Sequence, residues 1–241
     1  MPVIANGMAR GVNLRVEALK RTESPSPFVF VSINSRMERP DTLLMFSGGL
    51  DSTGVFWKLA SSRRKLHVHH LYLVNKENRA KAEDRAVNEI VAYMKSKVDF
   101  RYSESYHEYP SYNGNFMWDS DIFSFMAGSI CTSMKTVREV AIGMTASDMR
   151  AGLSERVERA NRIFEAFGTR AKKVYPLIDM TKKQVYEMIP DELRKMSWSC
   201  RTPIHEGDDI KKCGKCKTCT EMKSIVPHND GDARLGVCDP A

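Results

Sequence analysis

The chain has 241 residues, a formal net charge of +7 and 42% hydrophobic residues, which fits one α/β domain or one domain with small appendages. No apolar run approaches the length of about 18 residues that a membrane-spanning helix needs, and residues 1–10 lack the continuous apolar stretch of a secretory signal. We therefore expect a cytoplasmic protein without membrane contact, and the excess of cations suits either an enzyme that handles anions or a nucleic-acid binder.

Strand and helix patterns alternate along most of the chain. Residues 1–40 are expected to form an extension with one short strand at 28–33. From residue 41 onward, strands are predicted over 42–46, 66–74, 99–102, 139–143 and 173–177. Helices are predicted between and after them, over 53–61, 81–95, 122–133, 153–167 and 182–189. This alternation predicts a Rossmann-like α/β fold with a parallel sheet and right-handed crossovers.

A glycine-containing loop follows the first predicted strand and consists of Ser47, Gly48, Gly49, Leu50, Asp51 and Ser52. The two glycines allow backbone N–H groups to face an anion closely, and the helix that follows adds unsatisfied donors and a partial positive charge. The hydroxyls of Ser47 and Ser52 are candidate phosphate donors, and Asp51 is a candidate Mg²⁺ ligand or helix cap. The segment predicts a phosphate cradle at the carboxyl end of a parallel strand, where ligands of such sheets bind.

The loop lacks the Gly-Lys-Ser/Thr sequence of a Walker motif. Ser-Gly-Gly-x-Asp-Ser instead resembles the pyrophosphate loop of the N-type ATP pyrophosphatases. This resemblance implies an adenine-nucleotide alpha hydrolase-like fold and an enzyme that adenylates a carbonyl or carboxyl oxygen with ATP and Mg²⁺, after which a nucleophile displaces AMP.

Four cysteines lie close together in the sequence, at Cys200, Cys213, Cys216 and Cys219. Four thiolates within twenty residues suffice for a closed tetrahedral zinc site, and we favour structural Zn²⁺. An iron–sulfur cluster is the alternative that the same ligands allow, whereas disulfides are disfavoured in the cytoplasm. Cys131 is predicted to be a buried apolar residue, and Cys238 stays unassigned.

Histidines and basic clusters receive structural interpretations. His67, His69 and His70 alternate along a predicted strand and are expected to be packing or surface residues rather than metal ligands. Basic clusters at 63–65, 170–173 and 211–212 are expected to be solvated surface charge. Trp118 and Tyr112 are candidates either for stacking on a base or for covering the core.

The glycine loop together with the cysteine cluster resembles the 7-cyano-7-deazaguanine synthase family over residues 42–223. This resemblance implies that 7-carboxy-7-deazaguanine and ammonia are converted to the nitrile through an acyl-adenylate, as in queuosine biosynthesis, with ATP and a structural zinc. It also implies that Gly143 and Asp148 bind the substrate, and that Asp51, Lys182 and Arg156 act on the phosphates or the carboxylate. Glu83 falls where the family has a glutamate.

Other positions depart from the family pattern. Trp118-Asp119-Ser120-Asp121 stands where the family has Pro-Gly-Arg-Asn, segment 152–155 replaces Tyr-Pro-Asp-Cys, and segment 77–80 replaces Gly-Gln-x-His. These departures keep three alternatives open. The enzyme stops at the amide, it adenylates a different carboxylate, or it is a tRNA-modifying ATP pyrophosphatase. A non-enzymatic zinc module that binds nucleic acid is the alternative from another class.

The predicted organisation has three parts. They are an extension at 1–40, an ATP pyrophosphatase domain at 41–195 and a zinc-binding region at 196–241. The family resemblance implies a homodimer and a small deazapurine carboxylate as substrate, and we do not expect nucleic acid as the direct substrate.

Overall fold

The computed structural model describes residues 39–109, 118–150 and 154–226. Its central sheet contains β1 (Thr42–Phe46), β2 (Leu66–Val74), β3 (Arg101–Glu108), β4 (Glu139–Ala141) and β5 (Lys172–Val174). The helices associated with the sheet are α1 (Leu50–Ser61), α2 (Ala80–Lys95), α3 (Asp119–Ser133), α4 (Ala146–Arg150), α5 (Ser154–Glu165), α6 (Lys182–Met188) and α7 (Asp191–Met196). A hairpin of β6 (Ile204–Glu206) and β7 (Asp209–Lys211) and the helix α8 (Lys217–Lys223) follow.

All five strands of the central sheet run parallel, in the order β3-β2-β1-β4-β5. Thr42 in β1 is in register with Leu66 on one side and with Glu139 on the other. The chain builds β2 and β3 on one side of β1 and then crosses to β4 and β5 on the other. The crevice between the carboxyl ends of β1 and β4 is therefore the point at which strand order reverses, which is where open α/β sheets bind ligands.

Helices cover both faces of the sheet, which explains why all five residues of β1 are buried. Leu44 and Phe46 point into a first core under α1, α2, α6 and α7. Leu43 and Met45 point into a second core under α3 and α5. Cys131 is buried in the second core, and burial raises the pKa of its thiol to about 12. Both its burial and its apolar surroundings confirm the prediction for this residue.

The predicted parallel α/β architecture is confirmed, with differences at element boundaries. The strand predicted over 99–102 spans Arg101–Glu108, because polar residues that the pattern left outside the strand pair with β2. The helix predicted from residue 53 begins at Leu50, directly after the two glycines. Five short elements had no strong periodicity and were not predicted, namely α4, α7, β6, β7 and α8. No described helix is both long and apolar enough to cross a bilayer.

Some predictions fall on residues outside the described ranges. These are the extension through residue 38 with its strand at 28–33, Tyr112, the segment 152–153 and Cys238.

Histidines and serines form a continuous polar ladder between β2 and β3, consisting of the buried residues His67, His69, Ser103 and Ser105 and the half-buried His107. Ser103 Oγ lies 2.7 Å from both His67 Nε2 and His69 Nδ1. Ser105 Oγ lies 3.0 Å from His69 Nε2 and 3.2 Å from His107 Nε2. His67 Nδ1 donates to the Met134 sulfur at 3.1 Å, since a thioether only accepts. Each hydroxyl can then donate to one imidazole and accept from the next, so neutral histidines satisfy the whole ladder.

The ladder decides between the two structural interpretations of the histidines. His67, His69 and His70 are all buried, so they are packing residues and not surface residues. Burial lowers the pKa of His67 to about 4, with a further contribution from Arg101, and lowers the pKa of His69 to about 3. His70 lies on the opposite face and donates from Nδ1 to the Phe46 carbonyl at 3.0 Å.

Candidate functional site

The predicted phosphate loop connects β1 to α1 and packs directly against α2. Gly48 has φ of +72°, and a Cβ there would lie 3.0 Å from Val87 Cγ2 and 3.1 Å from the Glu83 carbonyl oxygen. Glycine is therefore required both by the backbone conformation and by the space available. Three backbone N–H groups of the loop, those of Ser47, Gly49 and Leu50, donate to serine hydroxyls over 3.4–3.5 Å. Such long contacts are readily exchanged for a phosphate oxygen.

Gly143 brings the end of β4 onto this loop. A Cβ at Gly143 would lie 2.7 Å from the Ser52 backbone nitrogen and 2.9 Å from the Asp51 carbonyl carbon. No side chain fits in that space without moving the backbone of the loop. The sequence predicted Gly143 as a substrate-binding residue, and the structure places it at the wall of the cavity and in contact with the loop.

A cavity of about 290 Å³ opens above the loop. It brings together all but one of the predicted loop and substrate residues, namely Ser47, Gly49, Leu50, Asp51, Ser52, Gly143, Asp148, Arg156 and Lys182. Gly48 supports the loop from beneath. The cavity is also lined by residues that the sequence did not predict as site residues, among them Arg79, Ser120, Lys173, Tyr175, Trp198, Ser199, Arg201 and Thr218. The mixture of cations, hydroxyls and backbone groups suits a polyanionic ligand that carries a polar heterocycle.

Asp51 and Lys182 form the charged floor of the cavity. Lys182 Nζ lies 3.6 Å from Asp51 Oδ2 and 2.7 Å from Glu221 Oε2. Burial, together with the carboxylates of Asp148 and Glu221, raises the pKa of Asp51 to about 6 although Lys182 opposes the shift. Among the described residues, the buried oxygen Asp51 Oδ1 has no hydrogen-bond partner. A buried carboxylate oxygen of this kind fits a divalent cation or a ligand donor.

Asp148 lies at the start of α4 and has a local structural role as well as its place in the cavity wall. Its Oδ2 accepts from the Thr145 N–H at 2.9 Å and from the Thr145 hydroxyl at 3.1 Å. This arrangement holds the turn between β4 and α4 and leaves the other carboxylate oxygen for a ligand.

Arg156 extends from α5 towards the beginning of α3. Its Nε donates to Ser120 Oγ at 3.0 Å, and its guanidinium lies 4.7 Å from the centre of the Trp118 ring. Burial lowers the pKa of Arg156 from its ordinary value. Trp118 is 43% exposed, and Arg159 also lies over its ring at 5.8 Å. Guanidinium groups therefore already occupy positions near the face that a base would need for stacking.

Lys173 is a cavity residue that sequence reasoning placed only in a surface cluster. Its Nζ donates to Ser124 Oγ at 2.7 Å, to the Ala160 carbonyl at 2.8 Å and to Asn161 Oδ1 at 3.2 Å. Burial lowers the pKa of Lys173 to about 8. Its position on β5 one residue from the strand end was the available signal, because side chains at carboxyl ends of parallel strands face the ligand edge.

An ion network, which we call the arginine network, closes one side of the cavity and consists of the buried residues Arg79, Glu83 and Asp119 and the half-buried residues Glu77 and Arg201. Arg79 pairs with Glu83 and Asp119, and with Glu77 at 2.6 Å. Arg201 pairs with Glu77 at 2.7 Å and with Asp119 at 3.3 Å. Burial raises the pKa of Glu83 to about 7 against the opposing effect of Arg79. Three carboxyl groups and two guanidinium groups are thus neutral as a set when Glu83 is protonated.

The four cysteines predicted as metal ligands converge at one point. Their Sγ atoms all lie within 4.8 Å of one another, with 3.6 Å between Cys200 and Cys213 and 4.0 Å between Cys213 and Cys219. Four sulfurs about 2.3 Å from a central Zn²⁺ would be separated by about 3.8 Å, so the cluster fits a tetrahedral site. Burial would raise the pKa of the Cys216 thiol, but the Thr218 hydroxyl and backbone groups lower it to about 6.

The cysteine cluster and the loop are directly connected. The Trp198 N–H donates to the Gly48 carbonyl at 2.9 Å, and Ser199 Oγ accepts from the Leu50 N–H at 3.5 Å. These two residues immediately precede Cys200. Glu221, the partner of Lys182, lies on α8 two residues after Cys219. A metal that orders the cysteines would therefore also order groups of the cavity floor and rim.

Comparisons with known proteins found no matching family and a weak similarity to a solved structure. No protein-family model matches the sequence, and no curated protein is significantly similar to it. Among solved structures, the NMN synthetase from Francisella tularensis is similar over 62% of this chain and 60% of its own length, with 14% identity and a TM-score of 0.38. The chain thus spans less than two thirds of that protein's length. A similarity of this size carries no argument about activity.

Proposed function

We propose that the protein is an ATP-dependent ligase that adenylates a carboxylate, and that its substrates are 7-carboxy-7-deazaguanine and ammonia. The observation that carries the adenylation is the glycine loop at the strand-order reversal, with Gly143 pressed against it and the orphaned oxygen of Asp51 beneath it. The deazapurine acid as substrate rests on the sequence resemblance of the loop and the cysteine cluster. A cytoplasmic location is part of the proposal, because four reduced thiols need a reducing compartment.

The proposed reaction uses two molecules of ATP. The substrate carboxylate attacks the α-phosphorus and releases pyrophosphate, and ammonia then displaces AMP to give the amide and one proton. A second adenylation, at the amide oxygen, releases another pyrophosphate, and loss of AMP and of both amide protons leaves the nitrile, 7-cyano-7-deazaguanine. No side-chain nucleophile is required, so the protein contributes positioning and charge stabilisation.

The glycine loop and three charged residues of the cavity have proposed tasks in this scheme. The loop from Ser47 to Ser52 would bind the β- and γ-phosphates through backbone N–H groups and hydroxyls. Lys182, held by Glu221 at 2.7 Å, would place a positive charge beside the leaving pyrophosphate. Arg156 would bind the substrate carboxylate, and Asp148 would accept hydrogen bonds from the amidine edge of the deazapurine.

Two metal ions belong to the proposal. Asp51 would hold Mg²⁺, which neutralises phosphate charge when it is bound. The four cysteines would hold a structural Zn²⁺, whose chemistry is confined to ordering the segment that carries Trp198, Ser199 and Glu221. We further expect the enzyme to act as a homodimer.

The first test is a mass-spectrometric product assay with ATP, Mg²⁺, ammonium and 7-carboxy-7-deazaguanine. The Asp51→Asn variant removes the charge at the floor of the cavity, and Asp208→Asn makes the same chemical change at an exposed hairpin position. We expect the wild type and Asp208→Asn to form the nitrile, AMP and pyrophosphate, and Asp51→Asn to lose at least 100-fold in rate. If ATP were cleaved to AMP at the same rate with and without a carboxylate, the result would contradict the proposal.

A second candidate function is favoured by residues around Arg156. Its partners Ser120 and Trp118 belong to the segment that departs from the family pattern. An enzyme with an altered substrate wall would stop at the amide or adenylate another carboxylate. Accumulation of the amide alone, or ATP turnover only with other carboxylic acids, would support this candidate over nitrile synthesis. Turnover only with tRNA would instead support the tRNA-modifying alternative.

The zinc assignment has its own test. Metal analysis of the purified protein should find about one zinc per chain, and Cys219→Ser should lose it, whereas Cys131→Ser should retain it because Cys131 lies in the second core. Bound iron together with absorption near 400 nm would show that the cysteines hold an iron–sulfur cluster and not zinc. Retention of stoichiometric zinc in Cys219→Ser would show that the cysteines are not the ligands.

A further inference from the structure

A second cavity, of about 360 Å³, lies at the opposite edge of the sheet from the glycine loop. Its lining residues come from the end of α3, the segment before β4 and the segment before β5, and they are Cys131, Thr132, Lys135, Val137, Arg138, Phe167, Gly168, Thr169 and Arg170. Arg138 directly precedes β4, and Arg170 lies two residues before β5. The cavity therefore opens at the amino ends of these strands and shares no lining residue with the first cavity.

Three cations converge on this cavity without an acidic residue in its lining. Lys135, Arg138 and Arg170 are all exposed, and within residues 39–109, 118–150 and 154–226 none of them forms an ion pair. Glu139, the sequence neighbour of Arg138, pairs instead with Arg64 at 3.1 Å. A concave surface lined by charges of one sign concentrates counter-ions, since its field is focused by the low-dielectric wall.

The backbone that carries these cations is well anchored. The Arg138 N–H donates to the Asp41 carbonyl at 2.7 Å, and the Arg138 carbonyl accepts from the Lys172 N–H at 2.9 Å. Gly168, with φ of +59°, ends the turn after α5, and Thr169 Oγ1 accepts from the Ala171 N–H at 3.2 Å. The fold thus fixes the backbone positions from which Arg138 and Arg170 reach the same cavity, and a bound anion would offset the repulsion between the cations that line it.

The chemistry of the lining indicates the class of anion. Two guanidinium groups offer paired N–H donors that match the oxygens of a phosphate, and Lys135 adds a point charge. The Thr169 hydroxyl lies at the same wall, whereas the Thr132 hydroxyl donates to the Gly128 carbonyl at 2.9 Å. Val137 and Phe167 complete the lining with apolar side chains. We propose that this cavity binds a phosphate group, supplied either by a small phosphate compound or by the backbone of a polynucleotide.

The test compares two double variants that remove the same charge. Arg138→Ala/Arg170→Ala removes two cations of the cavity, and Lys81→Ala/Lys195→Ala removes two exposed lysines on α2 and α7. The probes are inorganic phosphate, followed by calorimetry, and a fluorescein-labelled 12-nucleotide oligouridine, followed by anisotropy. Both titrations are made with a non-hydrolysable ATP analogue present, so that the glycine loop is not the site being measured.

We expect at least tenfold weaker binding in Arg138→Ala/Arg170→Ala and binding within twofold of wild type in Lys81→Ala/Lys195→Ala. If the polynucleotide is the source, the slope of log affinity against log salt should also fall by about 1.4, since about 0.7 is lost for each phosphate contact to a single strand. Binding of inorganic phosphate alone would assign the site to small phosphate compounds. Equal affinities of the two double variants for both probes would overturn the proposal.

A charge-conserving variant guards against an effect on folding. Arg138→Lys/Arg170→Lys keeps all three charges but removes the paired donors, so phosphate binding should weaken by several fold while the urea midpoint stays at the wild-type value. Wild-type affinity in this variant together with wild-type affinity in the alanine variant would show that the arginines bind no phosphate.

Discussion

The arginine network and the histidine–serine ladder are both polar and have buried centres, but they satisfy their polar groups in opposite ways. The arginine network pairs full charges, with Asp119 accepting from Arg79, Arg201 and Tyr109. The ladder uses neutral groups only, and each hydroxyl bridges two imidazoles at 2.7–3.2 Å. Removal of one partner should therefore leave an unpaired charge in the arginine network but only an unpaired dipole in the ladder.

The two regions also respond to protons with opposite sign. Burial of Glu83 raises its pKa to about 7, so its folded form binds a proton that the unfolded chain releases above about pH 4.5. Burial lowers the pKa of His67 and His69 to about 4 and 3, so the unfolded chain binds protons below pH 6.5 that the folded form does not. Acidification thus stabilises the fold through one region and destabilises it through the other.

The largest effect is expected from Asp119→Ala in the arginine network. This change leaves the buried guanidinium of Arg79 without one of its carboxylates, and we expect a loss of about 3–5 kcal/mol in the free energy of unfolding. Urea denaturation at pH 7 is the measurement, with exposed Asp208→Ala as control. The double variant Arg79→Met/Asp119→Ala should recover part of the loss, because it removes the stranded charge. No recovery would mean that packing rather than charge explains the cost.

A smaller effect is expected from Ser103→Ala in the ladder. The change removes the common partner of His67 and His69, and an unsatisfied buried dipole costs about 1–3 kcal/mol. Exposed Ser133→Ala should stay within about 0.5 kcal/mol of wild type in the same urea experiment. If Ser103→Ala lowered the free energy of unfolding as much as Asp119→Ala, the neutral and the charged network would not differ in what the loss of a partner costs.

The proton response provides the third prediction, and Asp51 belongs to it because its pKa is raised to about 6. Between pH 5 and 6, acidification raises the free energy of unfolding through Asp51 and Glu83 and lowers it through His67 and His69. The two contributions nearly cancel, so the free energy of unfolding of the wild type should depend little on pH. Glu83→Gln should lose about 1.4 kcal/mol for each unit of acidification, and His69→Gln should gain about as much.

Urea titrations at pH 5.0, 5.5 and 6.0 measure these slopes. Ser133→Ala is the control and should keep the wild-type slope, because it removes no titratable group from an exposed position. Equal slopes in Glu83→Gln and His69→Gln would show that the two regions do not titrate as opposed sets.

The smallest effect is expected from Arg201→Ala at the rim of the arginine network. The Arg201 side chain is 40% exposed, so water screens its pairs with Glu77 and Asp119. We expect a cost within about 1 kcal/mol in urea denaturation, while the affinity for ATP falls several fold because Arg201 lines the cavity. A cost of several kcal/mol would place Arg201 among the buried members of the network.

Strands and helices were predicted correctly where their residue pattern lies within the element itself. The strand β1 and the helix α2 were predicted well because β1 is one continuous apolar run and α2 repeats apolar residues at helical spacing, both along their own sequence. The strand β3 was predicted too short, because its polar residues Ser103 and Ser105 find their hydrogen-bond partner His69 on β2, 34–36 positions away in sequence. The helix α8 gave no periodic signal, yet it carries both Cys219 and Glu221.

The features of the two cavities also separate into those that the sequence predicted and those that depend on the tertiary structure. The loop from Ser47 to Ser52 and the spacing of the four cysteines are short patterns with a local cause, so the sequence by itself determined them. Only the tertiary structure decided that Glu221 holds Lys182, that Arg201 meets Asp119, and that Lys135 and Arg138 face Arg170 across a second cavity. These partners lie 32–82 residues apart in sequence, and their meeting depends on strand order and helix packing, which no local pattern encodes.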